Sequence, residues 1–432
     1  MRSMARMRRA VRWTLALVTL IAIAGVSSSG AGASSKTTSG APGATSAIPA
    51  FYVPPRPLPV APPGTLIRST RVTGVPGVPA GATVWRILFH STTIYGADLA
   101  ESGYVIAPGA PPPATGYPVI AWAHGTTGFA ARCAPSLFTN AGGGNGPYLI
   151  PGLANYLRAG FVVTAADYQG LGVAHGVHPY LLGDSEGRSV LDATRASRHL
   201  PGLRTSDTVV VYGHSQGGHA ALFAGEMAPT YAPDLHVVGV VAAAPATGLS
   251  TLISIVGTSA GQQFLPFSIP TSYAWSQTYN DLPITDVFTA TGEQFAREEV
   301  TKGCLDSVAN AIGRRHLTPG QVFLTSSETN PIVIAHAKAN DPGRVRTTVP
   351  MLILQGTKDM TVPPGLTDAF VSGTACKIGD TVEYLHVMGA THNTVVFVGT
   401  PSIVRWMQGR ILGSSPASTT CGRPHDLNTL GR

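Results

Sequence analysis

The 432-residue chain is 44% hydrophobic and 12% charged, enough to bury one large core. Its formal charge of +7 would point to nucleic acid or an anionic membrane, but Arg2, Arg6, Arg8, Arg9 and Arg12 crowd the first thirteen residues with no acid among them. Taking these five from the 29 basic residues leaves 24 against 22 acidic ones, a nearly neutral remainder that removes the electrostatic case for either partner.

Behind those arginines runs TLALVTLIAIAGV and then Ala31-Gly32-Ala33. A positive start, a short apolar run and an A-x-A site predict a signal peptide over residues 1–33, cleaved near Ala33, on a secreted protein; the run is too short for a membrane span. The flanks of Arg8-Arg9 do not support a twin-arginine signal. Residues 34–50, SSKTTSGAPGATSAIPA, are small, polar and proline-bearing, and read as a disordered leader. FYVPPRPLPVAPPG carries Phe51, Tyr52, Leu58 and Val60 among its prolines and is expected to lie extended against the core. VWRILFHSTT and ESGYVIAP then read as antiparallel strands at a sheet edge.

Continuous apolar runs follow, of the kind required by strands buried on both faces: YPVIAWAHG (117–125), GFVVTAADYQG (160–170), DTVVVYGHS (207–215), LHVVGVVAAAP (235–245), VPMLILQGTKD (349–359) and TVEYLHVMGATH (381–392). DSEGRSVLDATRASRHL, with polar starters at Asp184 and Ser185, and HAALFAGEMA read as helices between them. Strand and helix in alternation mean α/β architecture, a mostly parallel sheet with right-handed crossovers. The interval 248–334 breaks the alternation with helix-compatible pieces such as TGEQFAREEVTKGCLDSVANAI. A crossover needs only about a dozen residues, so the excess reads as an inserted helical cap or lid. The organisation is then core 51–247, cap 248–334, core again 335–415, and a tail at 416–432.

Gly213-His214-Ser215-Gln216-Gly217 matches G-x-S-x-G, with a β-branched strand before it and a helix after it. That context has a mechanical reason: the serine sits on a strained strand-to-helix turn, and glycines two residues either side avoid clashes and leave the hydroxyl exposed. A serine is a poor nucleophile alone, so an acid and then a histidine must follow in chain order. Asp359 ends an apolar strand, where an α/β sheet places working residues, with Asp368 and Asp380 as fallback acids. Of the histidines beyond it, His386 reads as a strand core residue and His425 lies in a polar tail. His392, just past a strand end, has the loop position a general base needs. The oxyanion donors are expected at the backbone N–H of Gln216 and, from the loop His124-Gly125-Thr126-Thr127-Gly128, at Thr126 or Thr127.

Other features take plainer readings. Asp167-Tyr168-Gln169-Gly170 reads as a structural turn or pocket wall. AGGGNG at 141–146 lacks the Lys-Ser/Thr ending of a phosphate loop and reads as a flexible loop. His214 and His219 flank the serine without a third ligand, so no metal is expected, and no organic cofactor is called for. Under oxidising conditions outside the cell Cys133, Cys304, Cys376 and Cys421 are expected to be paired, in one of three connectivities.

FYVPPRPLPVAPPGTLIRS, HGTTG followed by Cys133-Ala134-Pro135-Ser136, ADYQGLG, GHSQGG, QGTKDMTVP and GATH stand in this order along residues 51–412. With them the chain resembles the secretory lipase family of fungi and actinomycetes. The resemblance implies an α/β-hydrolase fold with a helical cap between the sixth and seventh strands, and hydrolysis of lipid carboxylic esters. It carries nucleophile, acid and base onto Ser215, Asp359 and His392, and implies disulfides Cys133–Cys304 and Cys376–Cys421. Gln216 stands where some members have a smaller residue, which bears on the width of the acyl pocket.

The expectation is a secreted serine carboxylesterase or triacylglycerol lipase, acting on a lipid or small-molecule ester and touching the lipid interface transiently through its cap. A capped serine aminopeptidase is the alternative, anchoring a peptide N-terminus on Glu293, Glu298 or Glu299, although Arg297 and Lys302 lie among these. A non-catalytic binding protein on the same scaffold is disfavoured by the ordered presence of all three triad residue types.

Overall fold

In the computed structural model the described residues are 48–138, 150–414, 418–421 and 424–427. The expected signal peptide, most of the leader and the AGGGNG loop lie outside them.

Ten strands form one sheet: β1 (Leu66–Val72), β2 (Thr83–Thr92), β3 (Asp98–Ala107), β4 (Tyr117–Ala123), β5 (Val162–Ala166), β6 (Thr205–His214), β7 (His236–Ala243), β8 (Met351–Gly356), β9 (Val382–Val387) and β10 (His425–Leu427). Their spatial order is β1-β2-β3-β5-β4-β6-β7-β8-β9-β10. The first three pair antiparallel, β3 pairs antiparallel with β5, and every pairing from β5 onward is parallel. This is the α/β-hydrolase class of sheet, mostly parallel with helices around it.

The apolar runs become the central strands because both faces are covered. Side chains alternate across a strand, so Val209 and Val211 of β6 enter one hydrophobic cluster while Val210 and Tyr212 enter another on the opposite face. Helices α2 (Gly183–Ser197) and α3 (Gln216–Tyr231) contribute Leu191 and Leu222 to the first cluster. Helix α1 (Leu153–Arg158), which precedes them, and α11 (Val395–Ile411) contribute Tyr156 and Ile403 to the second. Between β8 and β9 lies the short α10 (Pro364–Phe370).

Between β7 and β8 the chain runs through α4 (Leu249–Ile253), α5 (Leu265–Thr278), α6 (Ala290–Phe295), α7 (Leu305–Arg314), α8 (Pro319–Val322) and α9 (Pro331–Ala339). These helices build a hydrophobic cluster of their own around Leu265, Tyr273, Phe295, Val308 and Phe323. The helical stretch runs to Ala339, past position 334. In chain order it follows the seventh strand, not the sixth, because β1 adds an antiparallel strand that the sequence reading did not include. The helix read through residues 291–312 is interrupted: α6 runs on as a wider turn to Val300, and α7 starts afresh after Cys304. The break has a tertiary cause. Cys304 is drawn into an antiparallel bridge with Gly128 and a disulfide with Cys133, neither of which a continuous helix allows. The second disulfide joins Cys376 and Cys421.

Candidate active site

Ser215 stands between the last residue of β6 and the first of α3, with φ 59° and ψ −120°. For a residue with a β carbon this is a strained conformation that its surroundings must impose. The Ser215 N–H donates to the Ala243 carbonyl of β7 at 2.9 Å, and its own carbonyl accepts from Ala246 and His219, each at 3.1 Å. The glycines are required by close approach. A β carbon at Gly213 would lie 1.9 Å from the Gly217 carbonyl oxygen, and one at Gly217 would lie 1.9 Å from that of Ala123.

Asp359 and His392 meet. The His392 Nδ1–H donates to Asp359 Oδ2 at 2.8 Å, which leaves Nε2 as the ring's other nitrogen. Asp359 is buried; its Oδ1 accepts the amides of Thr361 at 2.8 Å and Val362 at 2.9 Å, and its Oδ2 also accepts from Gln355 Nε2 at 3.0 Å. Burial alone would raise its pKa, but the hydrogen bonds from His392 and the two amides outweigh it and hold the carboxyl below its ordinary value. His392 is tied to the neighbour of Ser215: its carbonyl accepts from His214 Nε2 at 2.9 Å, and the two rings lie 4.7 Å apart. Burial pushes the His214 pKa down to about 3, so that side chain is a neutral donor. Ser215 and His392 are each 9% exposed, reachable yet largely shielded from water.

The loop after β4 passes the serine closely enough that a β carbon on Gly125 would lie 3.6 Å from Ser215 Cβ. Thr126 and Thr127 then diverge. The Thr126 hydroxyl meets the Tyr180 hydroxyl at 2.7 Å, while Thr127 is buried and its carbonyl accepts the Leu305 amide at 3.1 Å. The Phe129 amide donates to the Gly303 carbonyl at 3.0 Å, so the loop is stitched to the helical insertion on either side of the Gly128–Cys304 bridge.

A cavity of about 1050 Å³, open solvent included, has Ser215 in its wall. Most of its lining comes from the insertion, with Leu252, Val256, Phe264, Phe267 and Trp275 foremost; Tyr180, Val362 and Leu366 join them from the core. A mostly apolar cavity with a few hydroxyl side chains is the shape of a site for a small apolar ligand.

Comparison with known proteins agrees with this geometry. The family model described as "Secretory lipase" matches residues 150–419, more than half of the chain. The chain belongs to the secretory lipase family. A protein of Mycobacterium tuberculosis described as a probable inactive lipase is 26% identical over 84% of this chain and 82% of its own length. A secreted triacylglycerol lipase of Malassezia globosa is 31% identical over 53% of this chain and 50% of its own. The X-ray structure of Candida antarctica lipase A in its closed state shares the fold, with a TM-score of 0.73 at 20% identity over 88% of this chain and 89% of that one. Family and fold together support a lipase or esterase type of hydrolase.

In this member of the family the remaining candidates have other partners. Asp368 accepts from Tyr384 at 2.7 Å and from His386 at 2.9 Å, and His386 is half-buried on β9 rather than in the core. Asp380 accepts the amide and hydroxyl of Thr347. His425 belongs to β10, which adds to the sheet edge beside β9. Asp167 accepts from Ser102 Oγ at 2.6 Å and from the Ser136 amide at 2.8 Å, a fixed turn. Glu293, Glu298 and Glu299 lie on the surface, paired with Arg297 and Arg315, and none lines the cavity. Among the described residues no cluster of His, Cys, Asp and Glu could hold a metal ion. Missed from sequence were Tyr180 and Leu181 of the cavity wall and, behind the serine, buried Glu186 and His178, with His219 weighed only as a metal ligand. The only local sign was an acid, Glu186, one turn into a helix that had already been given polar starters.

Proposed function

We propose that this protein is an exported serine hydrolase of lipid carboxylic esters, working through an acyl-enzyme. The observation that carries the reading is the 2.8 Å Asp359–His392 hydrogen bond on a loop tied through His214 to the strained Ser215. Ser215 Oγ attacks the ester carbonyl as His392 Nε2 takes its proton, and Asp359 holds the imidazole tautomer and stabilises the imidazolium. The oxyanion is met by the Gln216 amide, at the first position of α3, and by Thr126, whose hydroxyl meets Tyr180 of the cavity wall. Collapse expels the alcohol, which takes the proton back from His392. Water, deprotonated by the same ring, then attacks the acyl-enzyme and releases the acid.

An apolar cavity beside the serine supports an acyl chain as the group bound, and the described "secreted triacylglycerol lipase" relative points the same way. In this reading residues 248–334 serve as cap, with transient contact to a lipid interface, between core parts 51–247 and 335–415. Residues 1–33 serve as the signal peptide, in keeping with the family's secretory description and the two disulfides. The label of inactivity belongs to the mycobacterial relative; Ser215, Asp359 and His392 are all present here.

The test is hydrolysis of p-nitrophenyl esters of increasing acyl length, below and above their aggregation point, with Ser215→Ala as control. The expected result is activity reaching long chains and abolished in the control. Activity confined to two- to four-carbon acyl groups would remove the lipase description, and peptide cleavage in place of ester cleavage would favour the aminopeptidase.

A further inference from the structure

Behind the nucleophile lies a buried polar group that the triad chemistry leaves unused. Glu186, on the first turn of α2, is fully buried. Its Oε1 accepts the Leu181 amide at 2.9 Å and Gln216 Nε2 at 2.7 Å, and its Oε2 accepts His219 Nδ1 at 2.8 Å. His219 Nε2 in turn donates to the Asn340 carbonyl at 2.8 Å. Both ring nitrogens of His219 face acceptors, so both carry protons, and the ring is an imidazolium paired with a carboxylate. Burial disfavours that charge, but the carboxylate and carbonyl more than compensate and hold the His219 pKa above its ordinary value.

The hydrogens balance around Gln216. Its Nε2 carries two, one for Glu186 Oε1 and one for His178 Nε2 at 2.8 Å. His178 Nδ1–H donates to the Gln169 carbonyl at 2.9 Å, so the ring is neutral and free to accept at Nε2. Turning the amide over would set its oxygen against the carboxylate, so one orientation is fixed.

Three things meet at this carboxylate. Gln216 supplies the first expected oxyanion donor through its backbone amide. Leu181, held at φ 54° in the left-handed region, follows Tyr180, whose hydroxyl meets that of Thr126. Asn340, at the end of the helical insertion, donates from Nδ2 to the Tyr279 hydroxyl at 2.8 Å and accepts the Gly183 amide at 3.0 Å.

We propose that Glu186 is the positioning residue of the oxyanion hole, fixing Gln216 directly and Thr126 through Leu181 and Tyr180, and joining both to the cap through His219 and Asn340. The role rests on the Ser215 mechanism above and adds to it a requirement outside the triad. A charge-paired carboxylate holds three donors more rigidly than a neutral amide can, and rigid placement is what an oxyanion hole needs.

The test uses Glu186→Gln, which keeps the shape and loses the charge, and Gln216→Leu, which keeps the backbone amide and the Glu186–His219 pair. Removing a whole oxyanion donor costs about 10²–10³ in kcat, so loosening one is expected to cost about 10- to 100-fold in each variant, with KM within about threefold. Affinity for an alkylboronic acid, which forms a tetrahedral adduct on the serine, should weaken in parallel, while affinity for a long-chain fatty acid stays put. The double variant should be no slower than the worse single one, because the two substitutions break one connection.

Either variant folding with kcat within twofold of wild type overturns the proposal, as does a loss seen only in thermal stability. If Glu186→Gln fails to fold, Gln216→Leu decides alone. If Ser215→Ala still hydrolyses esters, the mechanism and this inference fall together; if it is inactive while both variants run at the wild-type rate, this inference alone falls.

Discussion

At the residue scale, strain and charge are set by neighbours rather than by residue type. Ser215 was legible because its strained turn demands glycines nearby in sequence, and Gly213 and Gly217 have no room for a β carbon. His392 and Asp359 were legible from their places at strand ends. Glu186 was not, because its partners, Leu181, Gln216 and His219, come from three segments and Asn340 from a fourth. Glu101 makes a second case: it sits inside β3, fully buried, and burial first, then the nearby Asp192 and Asp167, push its pKa up to about 8 against the opposing pull of Ser189 and Ser91. A carboxyl with a raised pKa stabilises the fold fully below the unfolded value near 4.5, and that contribution drains away as pH climbs to about 8. Glu101→Gln copies the neutral form. Its Tm should match wild type near pH 5 and exceed it by about 2–4 °C at pH 8, read by thermal melts across that range. A gap that does not change with pH would refute the assignment.

At the scale of elements, the central strands were read within a few residues, since a strand covered on both faces needs an unbroken apolar run and shows it. The two edge strands escaped for the converse reason. β1 is half-exposed along its length and β10 is mostly exposed, so neither carries a core pattern. The break between α6 and α7 was invisible locally because its cause is the loop after β4, pulled to Cys304 from 171 residues away. That linkage carries a prediction. Replacing Cys133 and Cys304 together by Ala frees a long loop and should cost about 3–5 kcal/mol in guanidinium unfolding. Since the same contacts hold the loop that carries Thr126, kcat of the folded protein should fall as well. Unchanged stability would mean that the backbone bridge suffices without the sulfur link.

At the scale of the whole molecule, a sheet built for rigidity carries Ser215, Asp359 and His392 at its carboxyl edge, and a helical insertion with its own core supplies most of the apolar cavity wall. In the proposed mechanism specificity and chemistry therefore sit on different parts and are separable by substitution. Leu252→Trp, in the cavity wall, should reduce kcat/KM for dodecanoyl esters by about 10-fold or more while leaving butanoyl esters within about threefold, since each displaced methylene is worth about 1–3 kcal/mol in such a pocket. An equal loss at both lengths would place the acyl chain elsewhere.

The most direct measurement is to label the protein with a fluorophosphonate and locate the adduct by mass spectrometry. The expected result is one adduct, on the Ser215 hydroxyl, with labelling slowed severely in His392→Ala and ester hydrolysis lost in step with labelling. An adduct on another residue, or hydrolysis that persists once Ser215 is fully labelled, would contradict the account.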